Sequence, residues 1–244
     1  MPSPSVPTRI QLLDAFDAIR RNLFPEVYGT KVCDDALKGI LSPFLAESVL
    51  DEFISCLPEI ACLLRTDAQA LLDNDPAVGD HREIILCYPG FEAMLFHRVA
   101  HALHRLGVPV LPRMISETAH TTTGIDIHPA AQIGSHFGID HGTGVVIGAT
   151  AVIGNHVMLY QGVTFGAKNF KYDENGRPLN IRRHPVLEDN VTVYSNASIL
   201  GPIRIGEGSV IGGNVWLTED VPPRTRVLQG HFTISPQFTD GAGI

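Results

Sequence analysis

The chain has 244 residues, 44% of them hydrophobic, enough for one large domain or two smaller ones with a real core. Its 18 Lys and Arg against 26 Asp and Glu leave a formal charge of −8. That balance argues against nonspecific binding to nucleic acid or to an acidic membrane, and no apolar run approaches the roughly 18 residues of a membrane-spanning helix.

The first residues, Met1 to Pro7, form a Pro/Ser stretch without an apolar signal core, so residues 1–8 are expected to be a disordered tail and the cytoplasm the compartment. Residues 9–123 read as an α-helical domain. Ile10, Leu13, Phe16, Ile19 and Leu23 form one apolar stripe, and Leu63, Leu64, Leu71 and Leu72 belong to a second helix that ends near Asp73-Asn74-Asp75-Pro76. Phe91, Met94, Leu95, Val99, Ala102, Leu103 and Leu106 give a third, closed by Gly107 and Pro109, and a short fourth helix is expected from Pro112 to Ala119. His97, His101 and His104 ride on the third helix and read as partly buried or interface residues, because no metalloprotease pattern accompanies them. Cys33, Cys56, Cys62 and Cys87 match no zinc spacing and are expected to be buried free thiols.

From residue 124 to 223 the period changes. An aliphatic residue or Phe returns every six positions: Ile127, Ile133 and Ile139, then, after a two-residue shift, Ile147, Ile153, Leu159 and Phe165, then Leu187, Val193, Ile199, Ile205, Ile211 and Leu217. Small or β-branched residues sit four positions later, from Ala131 and Thr143 to Val215 and Val221. Period six fits neither a helix nor an alternating strand. It fits a solenoid of short parallel strands, three hexads to a coil, with glycine serving the corners. Residues 167–185 break the pattern with a basic loop, and such insertions tend to line a binding face. Pro222 and Pro223 stop the solenoid, leaving residues 224–244 as a cap and a flexible tail that ends in Ile244.

Asp140-His141-Gly142-Thr143-Gly144 stands beside the two-residue shift. A histidine held by a carboxylate is a competent general base for a hydroxyl that is too weak a nucleophile by itself. Asp126 lies 15 residues earlier, close to one coil, and the loop can deliver His184 to the same cleft, on the same chain or on a neighbouring subunit. A zinc site using His136 and His141, as in γ-class carbonic anhydrases on a similar coil, is a rival reading.

The segments Asp126-Ile127-His128-Pro129-Ala130-Ala131, Asp140-His141-Gly142-Thr143-Gly144, Gln161-Gly162-Val163-Thr164-Phe165-Gly166 and Arg183-His184-Pro185 resemble the serine O-acetyltransferases of cysteine biosynthesis, members of the hexapeptide-repeat acyltransferases. Upstream, Asp75-Pro76-Ala77-Val78, Gly90-Phe91 and His97-Arg98-Val99-Ala100-His101 resemble that family's helical domain. The resemblance implies an α+β chain, an N-terminal α-helical domain followed by a left-handed parallel β-helix with a protruding loop and a flexible C-terminal tail. It implies acetyl transfer from acetyl-CoA to the L-serine hydroxyl, with a homoserine acceptor as the alternative, and feedback inhibition by L-cysteine. His141 is then the base and Asp126 its orienting acid, while Asp75, Asp140, Arg183 and His184 hold serine. Gly166, Ala167, Ser195 and Gly213 take acetyl-CoA, with backbone N–H groups near Gly166 and Ala167 facing the oxyanion. No permanently bound cofactor or metal is implied. The expected partners are copies of the chain in a homotrimer or a hexamer made of two trimers, and O-acetylserine sulfhydrylase, docked through Ile244.

Overall fold

The computed structural model describes residues 5–230; the proposed docking residue Ile244 lies outside them. The N-terminal half holds seven helices, α1 (Arg9–Leu23), α2 (Pro25–Tyr28), α3 (Asp34–Leu41), α4 (Glu47–Asn74), α5 (His81–Cys87), α6 (Pro89–Arg105) and α7 (Leu111–Thr123). Thr8 starts α1 with a capping box: its hydroxyl accepts from the Gln11 N–H while the Gln11 side chain accepts from the Thr8 N–H. Residues 5–8 are therefore placed and not part of a disordered tail, with the Ser5 N–H and hydroxyl both donating to the Pro43 carbonyl at 2.9 Å.

Helix α1 buries Leu12, Phe16, Ile19 and Leu23, while Ile10 and Leu13, expected in the same stripe, are exposed. Leu12, Phe16, Ile19 and Leu23 repeat at spacings of three and four, so they hold one face more closely than a stripe through Ile10 does. The second helix does end at Asn74, and the helix expected at Pro112–Ala119 starts at Leu111 and ends at Thr123. Helix α6 is buried continuously from Ala93 to Ala100. Of its histidines, His97 is buried, His101 half-buried and His104 exposed. All four cysteines are free, but Cys33, Cys62 and Cys87 are exposed and Cys56 intermediate, which corrects the expectation of burial.

The C-terminal half coils through β1 (Asp126–Ile127), β2 (Gln132–Ile133), β3 (Gly138–Ile139), β4 (Val146–Ile147), β5 (Val152–Ile153), β6 (Met158–Leu159), β7 (Thr164–Gly166), β8 (Val186–Leu187), β9 (Thr192–Val193), β10 (Ser198–Leu200), β11 (Arg204–Ile205), β12 (Val210–Ile211), β13 (Trp216–Leu217) and β14 (Arg226–Val227). They stack into three parallel sheets, here called A (β1-β4-β7-β10-β13), B (β2-β5-β8-β11) and C (β3-β6-β9-β12-β14). Each hexad turns two side chains inward: the aliphatic residue, as Ile147, Leu159 or Ile199, and the residue four later, as Ala151, Val163 or Ile203, all at most 7% exposed. The corners need left-handed backbone, which glycine, Asn and His tolerate best. Between sheets C and A that position is held by Gly144, Gly162, Asn196 and Asn214, all at positive φ.

Two departures from the 18-residue coil matter. Val146 pairs with Thr164, and Thr192 with Val210, each 18 residues on, but Asp126 pairs with Val146, 20 residues on. The extra pair of residues falls in the corner after β3, so Val145 fills the interior and Thr143 is exposed. The second departure, the loop before β8, makes Val152 pair with Val186, 34 residues on.

Helical domain and coil are joined through buried charge. Arg98 on α6 makes two 3.0 Å hydrogen bonds to Asp67 on α4 and donates to the carbonyls of Ile133 and Gly134 at 2.8 and 2.6 Å. Asp67 also accepts from the Phe137 N–H at 3.0 Å. Beside this clamp, Gly90 in the first turn of α6 meets β3 so closely that a Cβ there would lie 2.0 Å from the Ile139 carbonyl oxygen. The first turn of α6 is thereby seated on the strand that leads into Asp140 and His141.

Candidate active site

The enlarged corner between sheets C and A carries Asp140 and His141. His141 is forced to φ +58° and its side chain is 71% exposed, with Nε2 3.7 Å from Asp140 Oδ2. Asp75, the residue after α4, lies close enough for the His141 charge to act on it. The Asp75 carboxylate accepts from the Tyr88 hydroxyl at 2.7 Å and from the Ala77 N–H at 2.8 Å. These bonds, the Tyr88 one foremost, hold Asp75 below the usual carboxylate range, and Asp75 in turn pushes the Tyr88 phenol up to about 12. Further along the same edge, Tyr160 and Tyr194 stack with ring centroids 5.1 Å apart. Burial raises the Tyr160 phenol, with smaller contributions from Tyr194, Asp140 and Asp75. Ser195 and Gly213 follow on this edge; the Ser195 carbonyl accepts from the Asn214 N–H at 2.9 Å.

The other edge of sheet A, its corner with sheet B, carries Gly166, Ala167, Arg183 and His184. His184 is 7% exposed. Its Nδ1 accepts from the Thr150 N–H at 3.1 Å and faces the Thr150 hydroxyl at 2.8 Å. That hydroxyl also accepts from the N–H groups of Arg183 and His184 at 3.0 and 3.1 Å. Burial lowers the His184 pKa to about 4, with Arg183 and His128 adding to the shift. The ring is thus neutral at physiological pH, with its proton on Nε2. Gly148 makes room for it: a Cβ there would sit 2.0 Å from Nε2. The Arg183 guanidinium donates to Asn180 and to the Ile181 carbonyl within its own loop, at 3.3 Å each.

Asp126 lies on sheet A between these edges. Its charge acts on His128, counteracting the burial that lowers that imidazole, and among the described residues no hydrogen bond joins Asp126 to His141. Within one chain the structure therefore brings Asp75, Asp140 and His141 together, and separately Arg183 and His184. It sets Ser195 and Gly213 on the first edge and Gly166 and Ala167 on the second, the width of a sheet apart, on the order of 10 Å by strand rise. His136 and His141, the rival zinc pair, stand at opposite ends of β3. His136 is engaged instead with Asp73 at 3.2 Å and with the His156 ring. An apolar cavity of about 350 Å³ lined by Val6, Phe44, Leu106, Val108, Leu111 and Met114 lies within the helical domain and includes none of these residues.

Tyr88, Gly148 and Thr150 contact the candidate site residues without a signal of their own in the residue patterns, and Gly90 stands there only as part of the Gly90-Phe91 resemblance. The signal that could have found it is a glycine inside the first turn of an apolar helix, where it costs helix stability unless something must come close.

A family model for the bacterial transferase hexapeptide (six repeats) matches residues 184–219. The plasmid serine acetyltransferase of Synechococcus elongatus is 48% identical over 93% of this chain and 71% of its own. The serine acetyltransferase of Bacillus subtilis is 43% identical over 68% of this chain and 73% of its own. The chain belongs to the serine acetyltransferase family. The crystal structure of Entamoeba histolytica serine acetyltransferase 1 in complex with L-cysteine superposes with a TM-score of 0.78 at 35% identity, covering 87% of this chain and 85% of that one. The Neisseria gonorrhoeae serine acetyltransferase in complex with serine gives 0.63 at 28% identity, over 89% and 95%. With these relatives the coil is a left-handed β-helix preceded by a helical domain. No helix among the described residues is long and apolar enough to cross a membrane.

Proposed function

We propose that the chain transfers the acetyl group of acetyl-CoA to the hydroxyl of L-serine, giving O-acetyl-L-serine for cysteine synthesis, with His141 as general base. The observation that carries this reading is the cluster of Asp75, Asp140 and an exposed His141 on the one corner that the two extra residues enlarge. Two carboxylates suit an α-ammonium group, and an imidazole beside them can reach the neighbouring hydroxyl. Arg183 and the neutral His184, with a proton on Nε2, suit the substrate carboxylate. His141 takes the hydroxyl proton as the serine oxygen bonds to the acetyl carbon. The C–S bond then breaks, and the departing thiolate recovers the proton from the imidazolium. Asp126 stabilises that imidazolium, and backbone N–H groups near Gly166 and Ala167 face the oxyanion. Acetyl-CoA runs along the edge past Ser195 and Gly213. It is a substrate, and the reaction as written needs no resident cofactor.

The two halves of the site occupy opposite edges of sheet A, so one chain cannot close a pocket around so small a substrate. A homotrimer about an axis parallel to the coil sets the C/A edge of one protomer against the A/B edge of the next; pairing of trimers into a hexamer belongs to the same reading. Coexpressing His141→Ala chains with His184→Ala chains tests this. Each parent should be severely impaired, whereas trimers assembled at random from equal amounts of the two chains should regain, averaged over all of them, about a quarter of the intact sites. No recovery above the parents would reject a shared site. CoA release measured with serine and with homoserine identifies the acceptor, and loss of turnover with added L-cysteine tests feedback at the same pocket. Docking of O-acetylserine sulfhydrylase on Ile244 is part of this reading; deletion of Ile244 is expected to abolish co-elution of the two proteins without changing acetyl transfer.

A further inference from the structure

Asp75 is held more firmly than its place after α4 requires. One carboxylate oxygen accepts from the Ala77 N–H at 2.8 Å, a local turn that satisfies the backbone by itself. The second accepts from the Tyr88 hydroxyl at 2.7 Å, a contact spanning 13 residues. Tyr88 is itself pinned. Its N–H donates to the Ile84 carbonyl at 3.1 Å as α5 ends, and Pro89 follows at the first position of α6. Gly90 then seats that turn on the Ile139 carbonyl, one residue before Asp140. The path from Tyr88 to the His141 corner is thus two residues of rigid helix start and one strand end, with no loop between.

We propose that Tyr88 is a positioning residue for amino-acid recognition. Its hydroxyl fixes the plane of the Asp75 carboxylate, so that the remaining lone pairs face the substrate ammonium beside Asp140 and His141. The inference rests on the reading that Asp75 receives that ammonium group. It makes Tyr88 a determinant of affinity for α-amino substrates, and of nothing in the acetyl donor.

Tyr88→Phe removes one oxygen and keeps the ring. The KM for serine is expected to rise about tenfold, the scale of one lost hydrogen bond to a charged group. The KM for acetyl-CoA and kcat at saturating serine should stay within about twofold. The hydroxyl also keeps Asp75 ionised, so its loss lets the carboxylate take up a proton at higher pH. The acid limb of kcat/KM for serine should therefore move to higher pH, which a purely structural role would not produce. In an Asp75→Asn background, where Tyr88 has no carboxylate to hold, Tyr88→Phe should add no further loss. A serine KM unchanged in Tyr88→Phe, or full additivity with Asp75→Asn, overturns the inference alone. Absence of serine-dependent CoA release from the unaltered chain removes the reading of the site, and the inference with it.

Discussion

Replacing His141 with Ala is expected to lower turnover with serine by about 10²- to 10⁴-fold, the range that a positioned general base supplies. The assembled, folded protein should survive the change. The side chain is 71% exposed, with Nε2 3.7 Å from Asp140 Oδ2, so little packing is lost. The one structural cost lies in the backbone. His141 sits at φ +58°, where Ala is less comfortable, by about 1 kcal/mol. His141→Asn is the matched control, because Asn tolerates the left-handed region and cannot act as a base. Both variants should lose activity alike in a CoA-release assay, while their melting temperatures differ slightly in favour of Asn. Near-normal turnover in either would remove His141 from the reaction.

The fold was readable because a coil interior has one strict rule, an aliphatic side chain every sixth residue, and a violation shows as a shift of frame. The same rule located the enlarged corner. Two residues too many between Ile139 and Ile147 have nowhere to go except outward, and they carry His141 with them. What periodicity does not encode is which edge of a sheet a corner belongs to. Along the sequence Asp126, His141 and His184 read as one cleft, with His184 on the same chain or on a neighbouring subunit; within one chain the coil sets His141 and His184 on opposite edges of sheet A, because the loop before β8 opens at the A/B corner. Tyr88 was illegible for another reason. Its partner Asp75 caps the end of α4, 13 residues earlier, and tyrosine before proline fits an ordinary helix start. Ile10 and Leu13 fit the apolar stripe of α1 because any apolar residue near helical spacing does, whereas burial is decided by which face α3 and α4 cover. The cysteines misled similarly: exposure of Cys33, Cys62 and Cys87 depends on neighbours that composition does not name.

Arg98→Ala is expected to cost about 3–5 kcal/mol of stability, because it leaves the Asp67 carboxylate buried without its cation. The side chains of the pair are only 5% and 1% exposed, so solvent cannot replace the lost partner, and the carbonyls of Ile133 and Gly134 lose a donor at the same time. For a chain of this size the loss corresponds to a fall in melting temperature of roughly 6–20 °C. Replacing both members, Asp67→Leu with Arg98→Met, should recover part of it, since no buried charge remains, but not all, because the Phe137 N–H and the two carbonyls still lack partners. The effect should reach the chemistry before the protein unfolds. Asp67 lies on α4 eight residues before Asp75, and Arg98 lies on α6 eight residues after Gly90, the glycine seated on β3. The clamp thus sets the distance between the helical domain that carries Asp75 and the corner that carries His141. In Arg98→Ala the KM for serine should rise at temperatures where circular dichroism still reports a folded chain. A melting temperature within about 2 °C of the unaltered protein, with an unchanged serine KM, would mean that the two domains are aligned by the Gly90 contact and not by the buried ion pair.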